Sequence, residues 1–120
     1  PAERDAYLRI AERYPRLTLI LAHAGRAWKG APEYVEAARA RPNVYLEITF
    51  SSCTDGIIEY LVEQAGADRV LFGSDMVWRG PESQVGWATY ARIDETARRL
   101  VMRENALRLI RTRISPDFDA

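Results

Sequence analysis

Three short apolar segments, each followed by a stretch with helical periodicity, constrain the fold of this chain more than any other feature. The segments occupy residues 17–22, 44–50 and 69–75. A continuous apolar run of this length is typical of a strand that is buried on both faces of a parallel sheet. Strands that alternate with helices of ten or so residues favour right-handed βαβ units. The sequence therefore predicts an α/β protein with a parallel sheet.

Residues with known preferences for helix ends divide the rest of the chain. Apolar residues at spacings of three and four predict a first helix over residues 3–14. Pro32 stands where a second helix takes its first turn, and Thr54 is placed to cap a third helix that Gly66 ends. Asp94 is a favourable N-cap for the last helical stretch. The expected order is helix, strand, helix, strand, helix, strand, helices.

Three strands are too few for a complete parallel fold. A closed (β/α)8 barrel needs about 250 residues, whereas this chain has 120. A three-stranded parallel sheet also leaves two edges of unpaired backbone groups. We therefore expect residues 1–120 to be a single partial barrel domain, and Pro1, in place of methionine, favours a piece of a longer protein. An open doubly wound sheet and a small self-sufficient three-layer domain remain alternatives.

Charge and cysteine content exclude several kinds of partner. Seventeen basic side chains balance seventeen acidic ones, which gives no reason to expect nucleic acid or a membrane surface as a partner. No apolar run is long enough to span a bilayer, and we expect a cytoplasmic protein. Cys53 is the only cysteine and His23 the only histidine. The chain therefore cannot supply a cysteine-based or multi-histidine metal site, and Cys53 is expected to be a packing residue and not an activated thiolate.

His23 and Asp75 follow the first and third predicted strands at their carboxyl ends. Parallel α/β proteins place catalytic groups there, because the βα loops surround a cleft above the core. Strand alternation places His23 on the same face as Leu19 and Leu21. A histidine and an aspartate at such a mouth suit metal-assisted hydrolysis or proton transfer. A hydrogen-bonded structural histidine and a turn-forming aspartate are the alternative.

The loops after these two residues each carry a tryptophan and a cation. Arg26 and Trp28 lie in the first loop, and Trp78 and Arg79 lie in the other. Stacking combined with charge suits an aromatic or carboxylated substrate, although such side chains are also common on solvated loops. Thr49, at the end of the second strand, is a further candidate for hydrogen bonding to substrate.

Glu47 is an unusual residue for the middle of a predicted strand. Strands disfavour acids, and a buried carboxylate needs partners. We expect Glu47 to line the barrel interior and to pair with a basic residue on a missing strand, more than to take part in chemistry.

Four segments in order resemble one known family. They are residues 19–25 (LILAHAG), 42–47 (PNVYLE), 68–75 (DRVLFGSD) and 103–109 (RENALRL). Together they look like the closing third of an amidohydrolase-related barrel, in the branch that contains aminocarboxymuconate semialdehyde decarboxylase, aromatic-acid decarboxylases and lactone hydrolases. The resemblance implies the C-terminal part of a (β/α)8 TIM barrel, with strands six to eight at 17–23, 44–49 and 70–75.

The resemblance also implies roles for the two candidate residues. His23 matches the sixth-strand histidine that polarises or protonates substrate, and Asp75 matches the eighth-strand aspartate that binds the catalytic metal and handles a proton. The implied protein is a metal-dependent hydrolase or decarboxylase, and a homo-oligomer, that acts on a small carboxylate or lactone. A divalent metal, expected to be zinc, would be present in the intact enzyme.

Two departures from the family pattern limit what this chain does alone. The family's first-strand His-x-His pair and fifth-strand histidine have no counterpart here. Only Gly25 follows His23 where the family often has two or three glycines. We therefore expect the isolated chain to have an incomplete site, to bind metal weakly or not at all, and to be inactive. The alternative function is a non-catalytic partial barrel that associates with copies of itself.

Overall fold

The computed structural model describes residues 2–24, 26–50 and 52–118. The strands in this part are β1 (Leu19–Leu21), β2 (Val44–Glu47) and β3 (Val70–Leu71). The α-helices are α1 (Ala2–Arg13), α2 (Ala31–Ala40), α3 (Ile57–Ala65), α4 (Glu82–Tyr90), α5 (Glu95–Arg99) and α6 (Asn105–Arg113). A 3-10 turn (Ala67–Arg69) precedes β3, and a π-helical segment (Leu100–Glu104) joins α5 to α6.

The strands form one parallel sheet in the order β1-β2-β3. Leu21 lies opposite Leu46 in β2, and Leu46 lies opposite Val70 in β3. These three residues are buried against the helices and form part of one hydrophobic core. The predicted α/β class, the parallel sheet and the alternation of strands with helices are confirmed.

The helices cover one face of the sheet far better than the other. On the second face Ile20 pairs with Tyr45 and is 47% exposed, whereas Leu71 is covered and lies beside α6. The prediction that the strands are buried on both faces is therefore wrong for β1 within the described residues. In a barrel the second face looks inward and is covered by side chains from all the strands. A sheet with one covered face is consistent with part of such a barrel.

Two buried asparagines fix the loops that lead into the strands. The Asn43 amide donates hydrogen bonds to three carbonyl oxygens in and after α1, with the shortest, 2.9 Å, to Leu17. The Asn105 amide donates to the carbonyls of Ala67 and Val70 at 2.7 and 2.8 Å. A buried carbonyl without a partner is costly. These amides therefore set where β2 and β3 begin.

The helix ends agree in part with the sequence signals. Asp94 caps α5 by accepting a hydrogen bond from the Ala97 N–H at 2.8 Å, and Gly66 ends α3 with φ at 96°. The start of α3 is later than predicted, because Gly56 adopts φ of 76° and residues 54–56 form a turn before Ile57. None of the helices in the described part of the chain has the length and apolar character needed to cross a bilayer.

Candidate active site

His23 lies in a turn beyond the end of β1. Its backbone has φ of 59°, a left-handed conformation that is uncommon for residues other than glycine. Its N–H donates to Glu47 Oε2 at 3.2 Å, and its Nδ1 lies 2.9 Å from the carbonyl oxygen of Thr49. Because β1 ends at Leu21, the alternation of side chains along the strand does not extend to His23. The prediction that it shares a face with Leu21 is wrong, since Leu21 points into the core and the His23 side chain is exposed.

The Nδ1 contact determines how the neutral imidazole presents itself. A carbonyl oxygen can only accept a hydrogen bond, so Nδ1 must carry the hydrogen when it bonds to Thr49. Nε2 then has an unprotonated lone pair. In this arrangement Nε2 is the nitrogen that can accept a proton or contact a ligand.

Glu47 lies between the two candidate residues, in the middle strand. Its carboxylate accepts hydrogen bonds from the His23 N–H and from the Thr49 hydroxyl. The Ala24 N–H also donates to the Glu47 carbonyl at 2.9 Å. The predicted basic partner was expected on a missing strand, so that pairing stays a prediction. Within the described residues, the carboxylate is held by polar groups of its own sheet edge.

Gly73 provides the space that the Glu47 carboxylate occupies. A Cβ atom at Gly73 would lie 1.6 Å from Glu47 Oε1 and 2.6 Å from Thr49 Oγ1. No larger residue fits there without moving the carboxylate. Glycine in the third segment therefore lets the Glu47 carboxylate keep its observed position.

Asp75 lies four residues beyond the end of β3, in a turn of its own. Its φ is 57°, and its carbonyl accepts hydrogen bonds from Trp78 N at 2.8 Å and Arg79 N at 3.2 Å. The side chain is exposed to solvent. His23 and Asp75 are the non-glycine residues with positive φ among those described. Backbone conformations of this kind concentrate at functional sites.

The sheet order sets the separation of the two strand ends that precede His23 and Asp75. β2 lies between β1 and β3, so the strand ends that precede His23 and Asp75 are roughly 10 Å apart. Both residues extend from the carboxyl edge of the sheet, with Glu47, Thr49 and Gly73 between them. Hydrogen bonds join His23, Glu47 and Thr49, whereas those of Asp75 lie within its own turn.

The four loop residues predicted to bind substrate fall into different surroundings. Arg26 lines a cavity of about 390 Å³ together with His23 and Tyr34. Trp28 does not line it and instead packs edge-on against Tyr60 of α3, with ring centroids 5.2 Å apart. Trp28 therefore has a packing role at 45% exposure, and its contact with substrate stays a prediction.

The remaining predicted substrate residues also differ from one another. Trp78 is 86% exposed, and Arg79 beside it is exposed as well, so both side chains are open to a ligand. Thr49 is only 5% exposed, its hydroxyl is bonded to Glu47, and its carbonyl accepts from His23. Its observed contacts position other residues of the site, and direct substrate contact by Thr49 stays a prediction.

Metal ligands do not converge in this part of the chain. No group of three or more His, Cys, Asp or Glu side chains able to hold a metal is found among the described residues. The exposed Asp75 carboxylate is a suitable single ligand, but stable zinc sites take three or four. The described residues therefore do not form a metal site by themselves.

Cys53 lies outside this cluster, in a cavity of about 470 Å³ that also contains Asp55, Glu59 and Arg92. Burial raises the pKa of the Cys53 thiol, and the nearby charges of Glu59 and Asp55 raise it further. Arg92 bonds to Asp55 at 3.1 Å, and this raises the pKa of Arg92. A thiol with a raised pKa is a weak nucleophile at neutral pH. The structure agrees with the prediction that Cys53 is not activated.

Gln84 is a buried residue next to the site that the sequence did not single out. Its buried amide exchanges two hydrogen bonds with the backbone of Phe50, accepting from N–H at 3.1 Å and donating to the carbonyl. The Gln84 amide therefore satisfies both backbone groups of Phe50, beyond the end of β2, as a neighbouring strand would. The only sequence signal was a polar residue within the α4 pattern.

The fold and this edge define a parallel α/β protein whose chemistry-bearing residues lie at the carboxyl ends of its strands. A family model described as Amidohydrolase matches residues 3–112. The chain belongs to the amidohydrolase family, and the predicted resemblance to that family is confirmed. No curated protein and no solved structure matches the chain.

Proposed function

We propose that this chain carries one part of an amidohydrolase active site, contributed by His23 and Asp75. The observation that supports the proposal most strongly is that both residues stand at the same sheet edge in left-handed backbone conformations. Such conformations cost about 1–3 kcal/mol each, so a purely structural role leaves this cost unexplained. The reaction is hydrolysis or decarboxylation of a small carboxylate or lactone.

The proposed roles follow from how each side chain is presented. His23 Nε2 accepts or donates a proton, or polarises the substrate, since Nδ1 is occupied by the Thr49 carbonyl. The exposed carboxylate of Asp75 takes a proton from water or serves as a metal ligand. Arg26, in the cavity beside His23, supplies a cation for a substrate carboxylate.

A divalent metal, zinc in our proposal, belongs to the intact site. Asp75 would supply one ligand, and the others would come from outside the described residues. We also place the three strands as the sixth to eighth of a (β/α)8 barrel, which makes this the C-terminal part. The support is that His23 follows the first described strand and Asp75 follows the third, with one strand between them.

Asp75→Asn in the enzyme with a complete site tests the assignment. Asparagine also tolerates a left-handed backbone, so the fold should remain. Turnover should fall by at least about a hundredfold, as expected when a general base or ligand is lost. Asp68→Asn, an exposed aspartate in the turn before β3, is the matched control and should keep wild-type turnover. Near-normal activity of the Asp75 variant would remove Asp75 from the mechanism.

The open sheet face favours a second candidate, a partial barrel that self-associates. Ile20, Leu17 and Ile114 are exposed around a groove of about 600 Å³ beside α6. Ile20→Glu should reduce association in sedimentation velocity experiments at increasing concentration. Ile10→Glu, at a similarly exposed isoleucine of α1, should not. A chain that stays monomeric at all concentrations would argue against this candidate. It would also argue against the homo-oligomeric state that the family resemblance implies.

A further inference from the structure

The Glu47 carboxylate has a geometry that neither catalysis nor simple packing explains. It accepts from the N–H of His23, which follows β1, and from the Thr49 hydroxyl, just beyond β2, and it fills the space left open by Gly73, just beyond β3. The segments that follow all three parallel strands therefore meet at one side chain. Since acids are disfavoured in strands, a carboxylate at this position calls for a specific structural role.

Its closest connection is to His23. His23 makes two hydrogen bonds near the end of β2, from its N–H to Glu47 Oε2 and from its Nδ1 to the Thr49 carbonyl. The N–H of the next residue, Ala24, donates to the Glu47 carbonyl. Glu47 also accepts from the Thr49 hydroxyl. The carboxylate thus fixes both the turn that carries the imidazole and the residue whose carbonyl bonds to that imidazole.

We propose that Glu47 is a positioning residue, which holds His23 in its left-handed turn and thereby keeps the imidazole in the Nδ1–H form with Nε2 free. The proposal rests on the role proposed for His23, and it explains why the imidazole of His23 has its hydrogen on Nδ1. An imidazole in water favours hydrogen on Nε2, so the opposite form requires a specific acceptor at Nδ1. Glu47 has this effect without touching the reacting atoms.

Gly73 extends the same argument to the third strand. An alanine there would place a Cβ atom 1.6 Å from Glu47 Oε1. The carboxylate is the flexible partner and would move, giving up its contact with the His23 N–H. A substitution just beyond β3 should therefore alter the tautomer of His23, which follows β1.

The wild-type chain provides the first measurement. His23 is the only histidine, so the imidazole ¹⁵N signals in a long-range ¹H–¹⁵N spectrum belong to one residue. At about pH 9 an imidazole is neutral. We expect Nδ1 to show the shift of a protonated ring nitrogen and Nε2 that of an unprotonated one. We also expect the His23 amide to exchange slowly with solvent. A predominantly Nε2–H ring, or an amide that exchanges at the rate of an unfolded peptide, would overturn the proposal.

Variants then assign the effect to Glu47. Glu47→Ala should convert the ring to mostly Nε2–H and speed exchange of the His23 amide by about tenfold or more, the factor expected for losing one hydrogen bond to a charged acceptor. Glu47→Gln can accept from the His23 N–H through its oxygen and bond to Thr49 through its amide, so it should rescue both readouts. Gly73→Ala should resemble Glu47→Ala. Glu63→Ala, at an exposed glutamate of α3, should leave both readouts at their wild-type values.

The outcomes separate this proposal from the proposed function. If Glu47→Ala and Gly73→Ala are folded and leave the tautomer and amide exchange unchanged, Glu47 has no positioning role. If Glu47→Ala fails to fold, Gly73→Ala and the rescue by glutamine decide the question. If the tautomer depends on Glu47 while Asp75→Asn keeps full turnover, the positioning role stands and the proposed active-site role of Asp75 fails. None of the spectroscopic measurements requires activity.

Discussion

Replacing Gly73 with alanine should show how much the packing of the Glu47 carboxylate against Gly73 contributes to the free energy of unfolding. The new methyl group would lie 1.6 Å from Glu47 Oε1 and 2.6 Å from Thr49 Oγ1. Either the carboxylate moves and loses its hydrogen bonds to His23 and Thr49, or the strand ends shift. The backbone of Gly73 is not left-handed, so alanine itself adds no strain there. The whole effect should come from the contact with the carboxylate.

The expected magnitude follows from these two terms. Losing hydrogen bonds to a charged group costs about 1.5–3 kcal/mol, while replacing glycine by alanine returns about 0.4–1 kcal/mol through the unfolded chain. The free energy of unfolding should therefore fall by about 0.5–2.6 kcal/mol. A loss near zero would mean that the Glu47 contacts contribute little to the folded state.

A second glycine provides the matched control. A Cβ atom at Gly86, in the interior of α4, would meet no atom within 4 Å. Gly86→Ala should therefore raise the free energy of unfolding by about 0.5–1 kcal/mol, the difference in helix propensity. Urea denaturation followed by far-UV circular dichroism gives both values under the same conditions. If Gly73→Ala proves as stable as Gly86→Ala, the packing of Glu47 against Gly73 is refuted.

The remaining predictions concern other elements of the chain. Gln84→Ala should lower the free energy of unfolding by about 1–3 kcal/mol, since both backbone groups of Phe50 lose their partner; an unchanged urea midpoint would contradict this. Asp94→Ala should cost about 0.5–2 kcal/mol through loss of the N-cap bond to Ala97, whereas Asp94→Asn should retain most of it. The raised pKa of Cys53 predicts slower alkylation by iodoacetamide at pH 8 than free cysteine shows. The rate should rise only at more alkaline pH, as the thiolate forms, and equal rates at pH 8 would contradict the burial of this thiol.

The sequence by itself determined the features that depend on neighbouring residues. Asp94 and Gly66 mark helix ends because capping involves groups within one turn of the chain. The apolar segments marked three strands, although all three are shorter than predicted. The ordered set of segments also identified the amidohydrolase family, which the match over residues 3–112 confirms.

Only the tertiary structure decided how the site is arranged. His23 and Glu47 are 24 residues apart in sequence, and no local pattern predicts which backbone N–H a distant carboxylate will accept from. The same holds for Trp28, which a loop position suggested for substrate and which packs on Tyr60. The left-handed turn at His23 has a related origin. A residue other than glycine keeps such a backbone only when the surrounding structure stabilises it, and the contacts of His23 with Glu47 and Thr49 exist only after the sheet has formed.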